Sequence, residues 1–184
     1  QNYINHLVDS VATDLSGLRI LVDASNGAAS VVGPAALRAA GAEVIVINAS
    51  PDGLNINDNC GSTHPEQLQN YVKAVGADMG VAYDGDADRC FVIDEKGNAV
   101  TPSAVTALVA EREIARAKAE GNEEPVIIYN LITSKAVPEL VEKLGGRAVK
   151  TRVGHSFIKA VMAKENGVFG GEHSAHYYFK DFFN

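Results

Sequence analysis

The chain has 184 residues, of which 46% are hydrophobic, and its formal net charge is −7. This composition allows a packed core and excludes a disordered chain. Because the sequence contains no block of Lys and Arg, we expect no nucleic-acid partner, although a small anionic substrate needs only a few local cations.

No apolar run approaches the ~20 residues that a membrane-spanning helix needs, and the N-terminus lacks the pattern of a signal peptide. We therefore expect no membrane partner. Two cysteines, Cys60 and Cys90, make no disulfide framework, which favours a reducing, cytoplasmic location. The chain opens at Gln1 without an initiator Met and ends in "YYFKDFFN", so we expect a fragment of a longer protein.

The first half of the chain alternates predicted helices and strands. Pro34 lacks an N–H group, so we expect it in the first turn of its helix, and Gly41 is expected to end that helix. A polar loop with little periodic structure follows the second strand. In chain order we predict a helix over 3–12, a strand over 18–23, a helix ending at Ala40, a strand over 43–48, a helix over 65–75, and strands over 79–83 and 90–94.

The second half repeats this alternation. The predicted elements are a helix over 103–119, a strand over 125–130, a helix over 134–144, a strand over 147–151, a helix over 156–165 and a short strand over 168–169. Tight turns between alternating elements predict an α/β fold. We expect two consecutive three-layer α/β/α units with mainly parallel mixed sheets, covering 1–98 and 99–184. "AAGAEVIVI" and "KLGGRAVKT" both run from a helix end through glycine into a strand, which suggests a weak repeat.

Three aspartates stand close together in "DGDADR", between two strand-like apolar runs. Asp84, Asp86 and Asp88 alternate with Gly and Ala, which leave room for the loop to curl and for the carboxylates to converge. Hard divalent cations prefer several carboxylate oxygens at one point, and a cation would relieve the repulsion among three like charges. A solvated acidic turn explains the same pattern equally well.

The spacing also invites comparison with a calcium-binding EF-hand. Asp84, Asp86, Asp88 and Glu95 fall at positions 1, 3, 5 and 12 of that loop. However, Arg89 stands at position 6, where the sharp turn needs Gly, and the flanking segments resemble strands rather than helices. We therefore reject the EF-hand. A guanidinium beside a metal site suits a bridging phosphate, while a salt bridge within the loop is the alternative role of Arg89.

Together, three motifs resemble those of the α-D-phosphohexomutase superfamily. "DGDADR" is similar to its metal-binding loop, "GEHSAH" to its sugar-recognition loop, and "VGHSFIK" to its phosphosugar-contact segment. The resemblance covers nearly the whole chain and implies the second and third of four domains. It places the metal-binding loop in residues 1–98 and the sugar-recognition loop in residues 99–184, with the latter domain truncated at its C-terminus.

The resemblance implies an intramolecular phosphotransferase with Mg²⁺ as its cofactor. A phosphoserine on the first domain would phosphorylate a hexose phosphate, and the bisphosphorylated sugar would return the other phosphoryl group. The implied roles are metal binding by Asp84, Asp86 and Asp88, catalysis by Arg89 and His155, and substrate binding by Arg152, Glu172, Ser174 and His176. Glu172 would accept hydrogen bonds from hydroxyl groups of the sugar.

Some of these motifs have plain structural alternatives. "GEHSAH" alone also fits a polar turn before an aromatic edge strand. His155 follows Gly154 at a predicted helix start, where free N–H groups attract an anion, but it could equally be a neighbour of the helix cap. Arg152 and Lys159 either add positive potential or are simply solvated.

The sequence departs from the family pattern at one position and mixes two subfamilies. A lysine of many relatives is replaced by Ile132, and Lys135 is a doubtful substitute. "DGLNINDNCGSTHPE" resembles phosphoglucosamine mutases, whereas "VGHSFIK" and "GEHSAHYYF" resemble bacterial phosphomannomutase/phosphoglucomutase proteins. Because the sugar loop should decide the substrate, we expect mannose or glucose phosphate, with phosphoglucosamine as the alternative.

The chain contains no serine loop of the T-A-S-H-N-P kind, and Ser25 lies in a turn after a strand, which is a poor substitute. We therefore expect the chain to need the flanking domains of its enzyme and to be inactive alone. A non-catalytic module that binds Mg²⁺ or sugar phosphate is the alternative. A receiver-like domain fits poorly, because its acidic residues are separated rather than clustered.

Overall fold

The computed structural model describes residues 2–11 and 13–182. The chain divides into two compact units, Gln1–Val100 and Thr101–Asn184. Each unit is an α/β structure with one mixed sheet, as the sequence predicted. Within the described part of the chain, no helix has both the length and the apolar character that crossing a bilayer requires.

Among the residues that the structure describes, the first unit contains three α-helices, one short 3-10 helix (Gly61–Thr63) and five strands. Its elements are α1 (Asn2–Val11), β1 (Arg19–Asp23), α2 (Ala29–Ala39), β2 (Glu43–Ile47), α3 (Glu66–Val75), β3 (Met79–Tyr83), β4 (Cys90–Ile93) and β5 (Ala99–Val100). The strand order is β2-β1-β3-β4-β5. β1 pairs in parallel with β2 and β3, and β4 runs antiparallel to both β3 and β5.

Helices cover both faces of this sheet, and the side chains of β1 point alternately to the two faces. Leu21 is fully buried against Leu68 of α3 on one face. Ile20 and Val22 point to the other face, where Leu37 of α2 packs against them. Because successive side chains of a strand alternate between faces, a run of apolar residues such as β1 requires apolar helices on both sides.

Over residues 101–182, the described part of the second unit, there are three α-helices and four strands. Its elements are α4 (Pro102–Ala119), β6 (Val126–Asn130), α5 (Ala136–Lys143), β7 (Arg147–Thr151), α6 (His155–Glu165), β8 (Phe169–Gly171) and β9 (Tyr177–Phe179). The strand order is β7-β6-β8-β9, with β6 parallel to β7 and β8 and β9 antiparallel to β8. Ile127 packs against α4 and α5, whereas Ile128 packs against Ile158 of α6 on the opposite face.

The two sheets share one topology. In each, the first strand is central, the second lies on one side, the third on the other, and the fourth returns antiparallel to the third. The weak repeat in the sequence therefore corresponds to a repeated arrangement of strands. As a result, the turn between β3 and β4 and the turn between β8 and β9 occupy equivalent places in their own units.

Several boundaries differ from the predictions. Pro34 is the sixth residue of α2 and so lies in the second turn rather than the first. Its missing N–H removes one bond of the helix, and the preceding Gly33 has no side chain to crowd the proline ring. α6 begins at His155, one residue early, and the first predicted helix extended to Ala12, which lies outside the described residues.

The strand β5 was not predicted, and β9 was expected only as the aromatic edge strand in the alternative for "GEHSAH". β5 has two residues and β9 has three, so neither is long enough to show an alternating pattern. Each is an edge strand, and the antiparallel pairing with its neighbour defines it.

Candidate functional site

The acidic loop is the turn that joins β3 to β4. Asp84 follows the last residue of β3, and the Ala87 N–H donates to the Asp84 carbonyl oxygen at 3.1 Å. Ala87 takes the left-handed conformation with φ of 62°. The loop therefore curls back on itself immediately after a buried strand. Strands on both sides agree with the rejection of the EF-hand.

This curl brings the three predicted metal ligands together. One carboxylate oxygen each from Asp84, Asp86 and Asp88 lies within 4.8 Å of the other two. Asp84 is 2% exposed, whereas Asp86 and Asp88 are exposed to solvent. Such a set of oxygens, one from a fixed buried group and two accessible, fits a hard divalent cation.

Arg89 closes the same loop. Its Nε donates to Asp84 Oδ2 at 2.6 Å, its backbone N–H donates to Asp84 Oδ1 at 3.1 Å, and its Nε lies 3.6 Å from Asp88 Oδ1. Burial raises the pKa of the Asp84 carboxyl, but these bonds and the charge of Arg89 outweigh it and hold that pKa below its ordinary value. Asp84 is thus an anion fixed in place, while the guanidinium keeps 38% of its side-chain surface exposed.

The loop rests on the turn that follows β1. The Ala28 N–H donates to the Gly85 carbonyl oxygen at 2.9 Å. A Cβ atom on Gly27 would lie 2.9 Å from the Cα and carbonyl carbon of Gly85 and closer still to its oxygen. A Cβ on Gly85 would in turn meet the Ile56 side chain at 2.8 Å. Two glycines therefore allow the backbones to touch beneath the aspartates.

Asp23 supports this turn and was not singled out from the sequence. It is fully buried at the end of β1, and its carboxylate accepts the Ser25 N–H at 2.9 Å and the Gly61 N–H at 2.8 Å. The Ser25 hydroxyl donates to the Tyr83 carbonyl oxygen. Ser25 is fully buried, which argues against a role as phosphoryl carrier.

The predicted sugar loop is the turn that joins β8 to β9 in the second unit. The Ala175 N–H donates to the Glu172 carbonyl oxygen at 3.1 Å, and Ala175 has a φ of 68°. The turn therefore repeats the backbone of the acidic loop, with Glu172 in the place of Asp84. The turn is polar and precedes an aromatic edge strand, which matches the structural alternative for "GEHSAH", and the role of this turn in sugar recognition stays a prediction.

Glu172 is held by three segments of the second unit. Its Oε2 accepts the Asn130 amide at 2.9 Å and the Gly154 N–H at 3.3 Å, and its Oε1 accepts the Tyr178 hydroxyl at 2.7 Å. It is 2% exposed. Burial raises the pKa of the carboxyl, but the three donors, with His176 at 4.0 Å, outweigh it and hold the pKa below its ordinary value.

The other polar residues of the turn form short local contacts. Ser174 Oγ lies 2.8 Å from His176 Nδ1. His173 Nδ1 lies 2.8 Å from Ser103 Oγ, which also accepts the Ser134 N–H at 3.1 Å. Sequence reasoning missed Ser103 and His173, because they are 70 positions apart and no local pattern connects them.

The start of α6 carries His155 and follows Arg152. His155 is the first residue of the helix and is exposed, and Gly154 before it has φ of 125° and ψ of 136°. The Arg152 guanidinium lies 4.1 Å from the centre of the Phe157 ring, a cation–π contact. The first N–H groups of a helix have no partner within it, so this segment offers an anion both donors and positive charge.

Two lysines and one apolar residue complete the predicted set. Lys159 lies on the exposed part of α6, and Lys135 is the exposed residue immediately before α5. Ile132, which the sequence analysis expects at the position of a lysine of many relatives, is 57% exposed. The chain thus presents an apolar side chain there, and no described contact places Lys135 in the turn between β8 and β9.

Two comparisons with known proteins give the same result. Residues 1–97 match the family described as phosphoglucomutase/phosphomannomutase, alpha/beta/alpha domain II, and residues 101–184 match alpha/beta/alpha domain III. Similar curated proteins include the phosphoglucosamine mutases of Bifidobacterium adolescentis and Symbiobacterium thermophilum, each 44% identical, over 98% and 96% of this chain. This chain spans only 40% and 39% of their lengths.

Solved structures agree with these matches. A phosphoglucomutase/phosphomannomutase family protein from Burkholderia thailandensis superimposes with a TM-score of 0.86 at 31% identity, covering 98% of this chain and 39% of that one. The Aspergillus fumigatus N-acetylphosphoglucosamine mutase, solved in complex with GlcNAc-6P and magnesium, has a TM-score of 0.71 at 19% identity, covering 97% and 40%. The second likeness is one of fold alone.

Proposed function

The chain belongs to the phosphoglucomutase/phosphomannomutase family, of which it carries domains II and III, and on this premise we propose that it is the central part of a phosphohexomutase. The reaction would interconvert hexose 1-phosphate and hexose 6-phosphate through a phosphoserine and a bisphosphorylated sugar. The convergence of three aspartate oxygens within 4.8 Å, beside Arg89, carries the proposal.

Asp84, Asp86 and Asp88 would hold Mg²⁺. The donor set supports this, since Mg²⁺ prefers oxygen ligands and is commonly bound by carboxylates together with substrate phosphates. When bound, the ion supplies positive charge that neutralises phosphoryl oxygens during transfer. Asp84 is held in its ionised form by Arg89 and therefore provides a ligand that needs little reorganisation.

Arg89 would bind an oxygen of the transferring phosphoryl group. Its Nε is committed to Asp84, which fixes the plane of the guanidinium. The Arg89 side chain as a whole keeps 38% of its surface exposed. A guanidinium oriented in this way suits phosphate, because its donors lie in a rigid planar fork.

The second unit would bind the sugar phosphate. The start of α6, with His155 and Arg152, would hold the phosphate through helix N–H groups and positive charge. Ser174 and His176 would contact the sugar from the turn between β8 and β9. Glu172 would contribute at the same place, with one acceptor position left on its Oε1.

Two observations favour different sugars. The motif "GEHSAHYYF" supports mannose or glucose phosphate, as expected from the sequence. The 44% identity to phosphoglucosamine mutases of Bifidobacterium and Symbiobacterium favours glucosamine phosphate as a second candidate.

We expect the 184-residue chain to lack mutase activity by itself, since it contains no T-A-S-H-N-P serine loop and spans about 40% of the curated relatives. A coupled mutase assay on the purified chain should therefore stay at background. Measurable turnover would contradict this account of the phosphoryl carrier.

Binding of hexose phosphate to the chain tests the proposal directly. Glucose 6-phosphate, mannose 6-phosphate and glucosamine 6-phosphate are each titrated into the ¹⁵N-labelled chain, with inorganic phosphate as the control. We expect one sugar phosphate to shift the amide signals of residues 154–156 and 174–176, with phosphate alone shifting only the first group. In Ser174→Ala we expect the signals of residues 174–176 to shift no longer. If the sugar phosphate binds Ser174→Ala and the unaltered chain equally well, the turn between β8 and β9 does not bind the sugar.

A chimera separates a mutase from a non-catalytic binding module. The chain replaces its matching segment in the phosphoglucosamine mutase of B. adolescentis, with Asp86→Asn in a second chimera. Turnover that the Asp86→Asn change abolishes supports the mutase. A folded chimera that binds hexose phosphate without turnover would favour the binding module.

A further inference from the structure

The Glu172 carboxylate lies where three segments of the second unit meet. Asn130 is the last residue of β6, Gly154 directly precedes α6, and Tyr178 is the middle residue of β9. Each donates one hydrogen bond to Glu172. The backbone already pairs β6 and β9 with β8 beside Glu172, and the bond from Gly154 adds the start of α6 to this group.

Counting the acceptor positions shows how little of Glu172 is available to a ligand. A carboxylate has about four lone-pair positions, two on each oxygen. Asn130 and Gly154 occupy both positions on Oε2, and Tyr178 occupies one on Oε1. With 2% exposure, Glu172 has at most one position left for a sugar hydroxyl, whereas recognition of two neighbouring hydroxyls needs two.

The bond to Gly154 has a structural consequence for α6. The Gly154 carbonyl oxygen accepts the N–H groups of Phe157 at 3.0 Å and Ile158 at 3.2 Å, which closes the first turn. The Gly154 N–H is fixed by Glu172. With φ of 125°, Gly154 has a conformation that other residues rarely adopt, and both its N–H and its carbonyl oxygen are hydrogen-bonded there.

We propose that Glu172 is a positioning residue that fixes the start of α6, and that Tyr178 and Asn130 hold Glu172 in the orientation this requires. The inference deepens the proposed function and rests on it for one point only, namely that the start of α6 is where the phosphate of the sugar binds. The positioning itself is a property of the chain without any ligand.

Hydrogen exchange at the Gly154 amide measures this positioning in the 184-residue chain. Glu172→Ala removes the acceptor, so we expect exchange at Gly154 to be about tenfold faster, as for the loss of a bond to a charged group. Exchange at Ile128, the central and fully buried residue of β6, reports the stability of the whole unit and should change much less. Ser174→Ala is the matched control, since it alters the same turn without touching Gly154.

The isosteric variant Glu172→Gln should restore slow hydrogen exchange at Gly154. In Glu172→Gln, the amide oxygen can still accept from Asn130 and Gly154, and the amide NH₂ can donate to the Tyr178 oxygen, which accepts as well as donates. We therefore expect Glu172→Gln to keep exchange at Gly154 within about threefold of the unaltered chain. Equal exchange at Gly154 in Glu172→Ala and the unaltered chain would overturn the proposal.

Tyr178→Phe tests whether the Tyr178 hydroxyl holds Glu172 in its orientation. This variant also replaces Glu172→Ala in the experiment if Glu172→Ala does not fold. Loss of the hydroxyl donor should raise the pKa of the Glu172 carboxyl toward its ordinary value and shift the Gly154 amide signal. Tyr71→Phe, on the exposed part of α3 in the first unit, should change neither. An unchanged carboxyl pKa and an unchanged Gly154 signal in Tyr178→Phe would also overturn the proposal.

These measurements need no sugar phosphate, so they separate the inference from the proposed function. If the chain binds no hexose phosphate while Gly154 responds as described, the proposed function fails and the positioning role stands. If hexose phosphate binds and Glu172→Ala leaves Gly154 unchanged, the positioning role fails and the proposed function stands.

Discussion

Arg89 donates two hydrogen bonds to the Asp84 carboxylate, one from its side-chain Nε at 2.6 Å and one from its backbone N–H at 3.1 Å to the other oxygen. Because Asp84 is buried, this double contact provides the donors that water would otherwise supply. The same contact orients the guanidinium at the edge of the acidic loop. The pair of Arg89 and Asp84 therefore both stabilises the turn and places a positive charge at its edge.

Removal of Arg89 should destabilise the first unit. Arg89→Ala leaves a buried carboxylate without its charged donor, which costs about 1–3 kcal/mol of the free energy of unfolding. Urea denaturation followed at the amide signals of β1 measures this. Arg38→Ala, which removes an exposed bond to Val44, is the control and should cost less than about 0.5 kcal/mol. A similar loss in both variants would contradict the special role of Arg89.

Binding of Mg²⁺ should depend on the exposed aspartates. Asp86→Asn removes one charged ligand of the cluster, so we expect calorimetric titration to show binding weakened by roughly tenfold or more. Glu95→Gln is the matched control, since Glu95 is exposed beyond β4 and outside the cluster. Equal affinity of Asp86→Asn and the unaltered chain would remove Asp86 from the metal site.

The stability of the second unit should fall in acid through Glu172. The folded pKa of this carboxyl lies below its ordinary value of 4.5, so the unfolded chain takes up the proton first as the pH falls. The stabilisation is complete above pH 4.5 and is lost as the pH falls through the folded pKa. Glu172→Gln should flatten the profile of unfolding free energy below pH 5. An unchanged slope in Glu172→Gln would show that other groups govern acid unfolding.

The contact between Gly27 and Gly85 should tolerate no side chain. In Gly27→Ala, the added Cβ would overlap the Gly85 backbone, which cannot swing aside as a side chain does. We expect a loss of about 1–3 kcal/mol in the free energy of unfolding, together with weaker Mg²⁺ binding. Gly17→Ala is the control: its Cβ would meet nothing within 4 Å, so only its φ of 87° opposes the change, and we expect a loss of about 1 kcal/mol with unchanged Mg²⁺ binding. Unchanged stability of Gly27→Ala would mean that the two turns separate easily.

Local sequence patterns predicted most of the framework. The strand over 79–83 and the acidic residues after it follow from a short apolar run and a cluster of charges, and both are contiguous in the chain. The family motifs placed the turn at Glu172 and the start of α6 near His155. These features depend on neighbours within a few residues, which a single sequence displays.

The surroundings of Glu172 could not be predicted in the same way. A carboxylate in a glycine-rich polar segment indicates an accessible ligand, yet its burial depends on β9, whose three residues carry no alternating pattern. Asn130 lies 42 positions away, and no local rule connects it to Glu172. Pro34 illustrates the same limit, since tertiary packing of α2 overrides the preference for the first turn.

Ala87 and Ala175 take the same left-handed conformation at the same place in two turns of one backbone design. In each turn, the left-handed residue stands three positions after the buried carboxylate and donates its N–H to the carbonyl oxygen of that residue. Alanine is less suited to this conformation than glycine, so each turn carries backbone strain at this one position. A glycine at position 87 or 175 would relieve this strain and leave the neighbouring carboxylate in place.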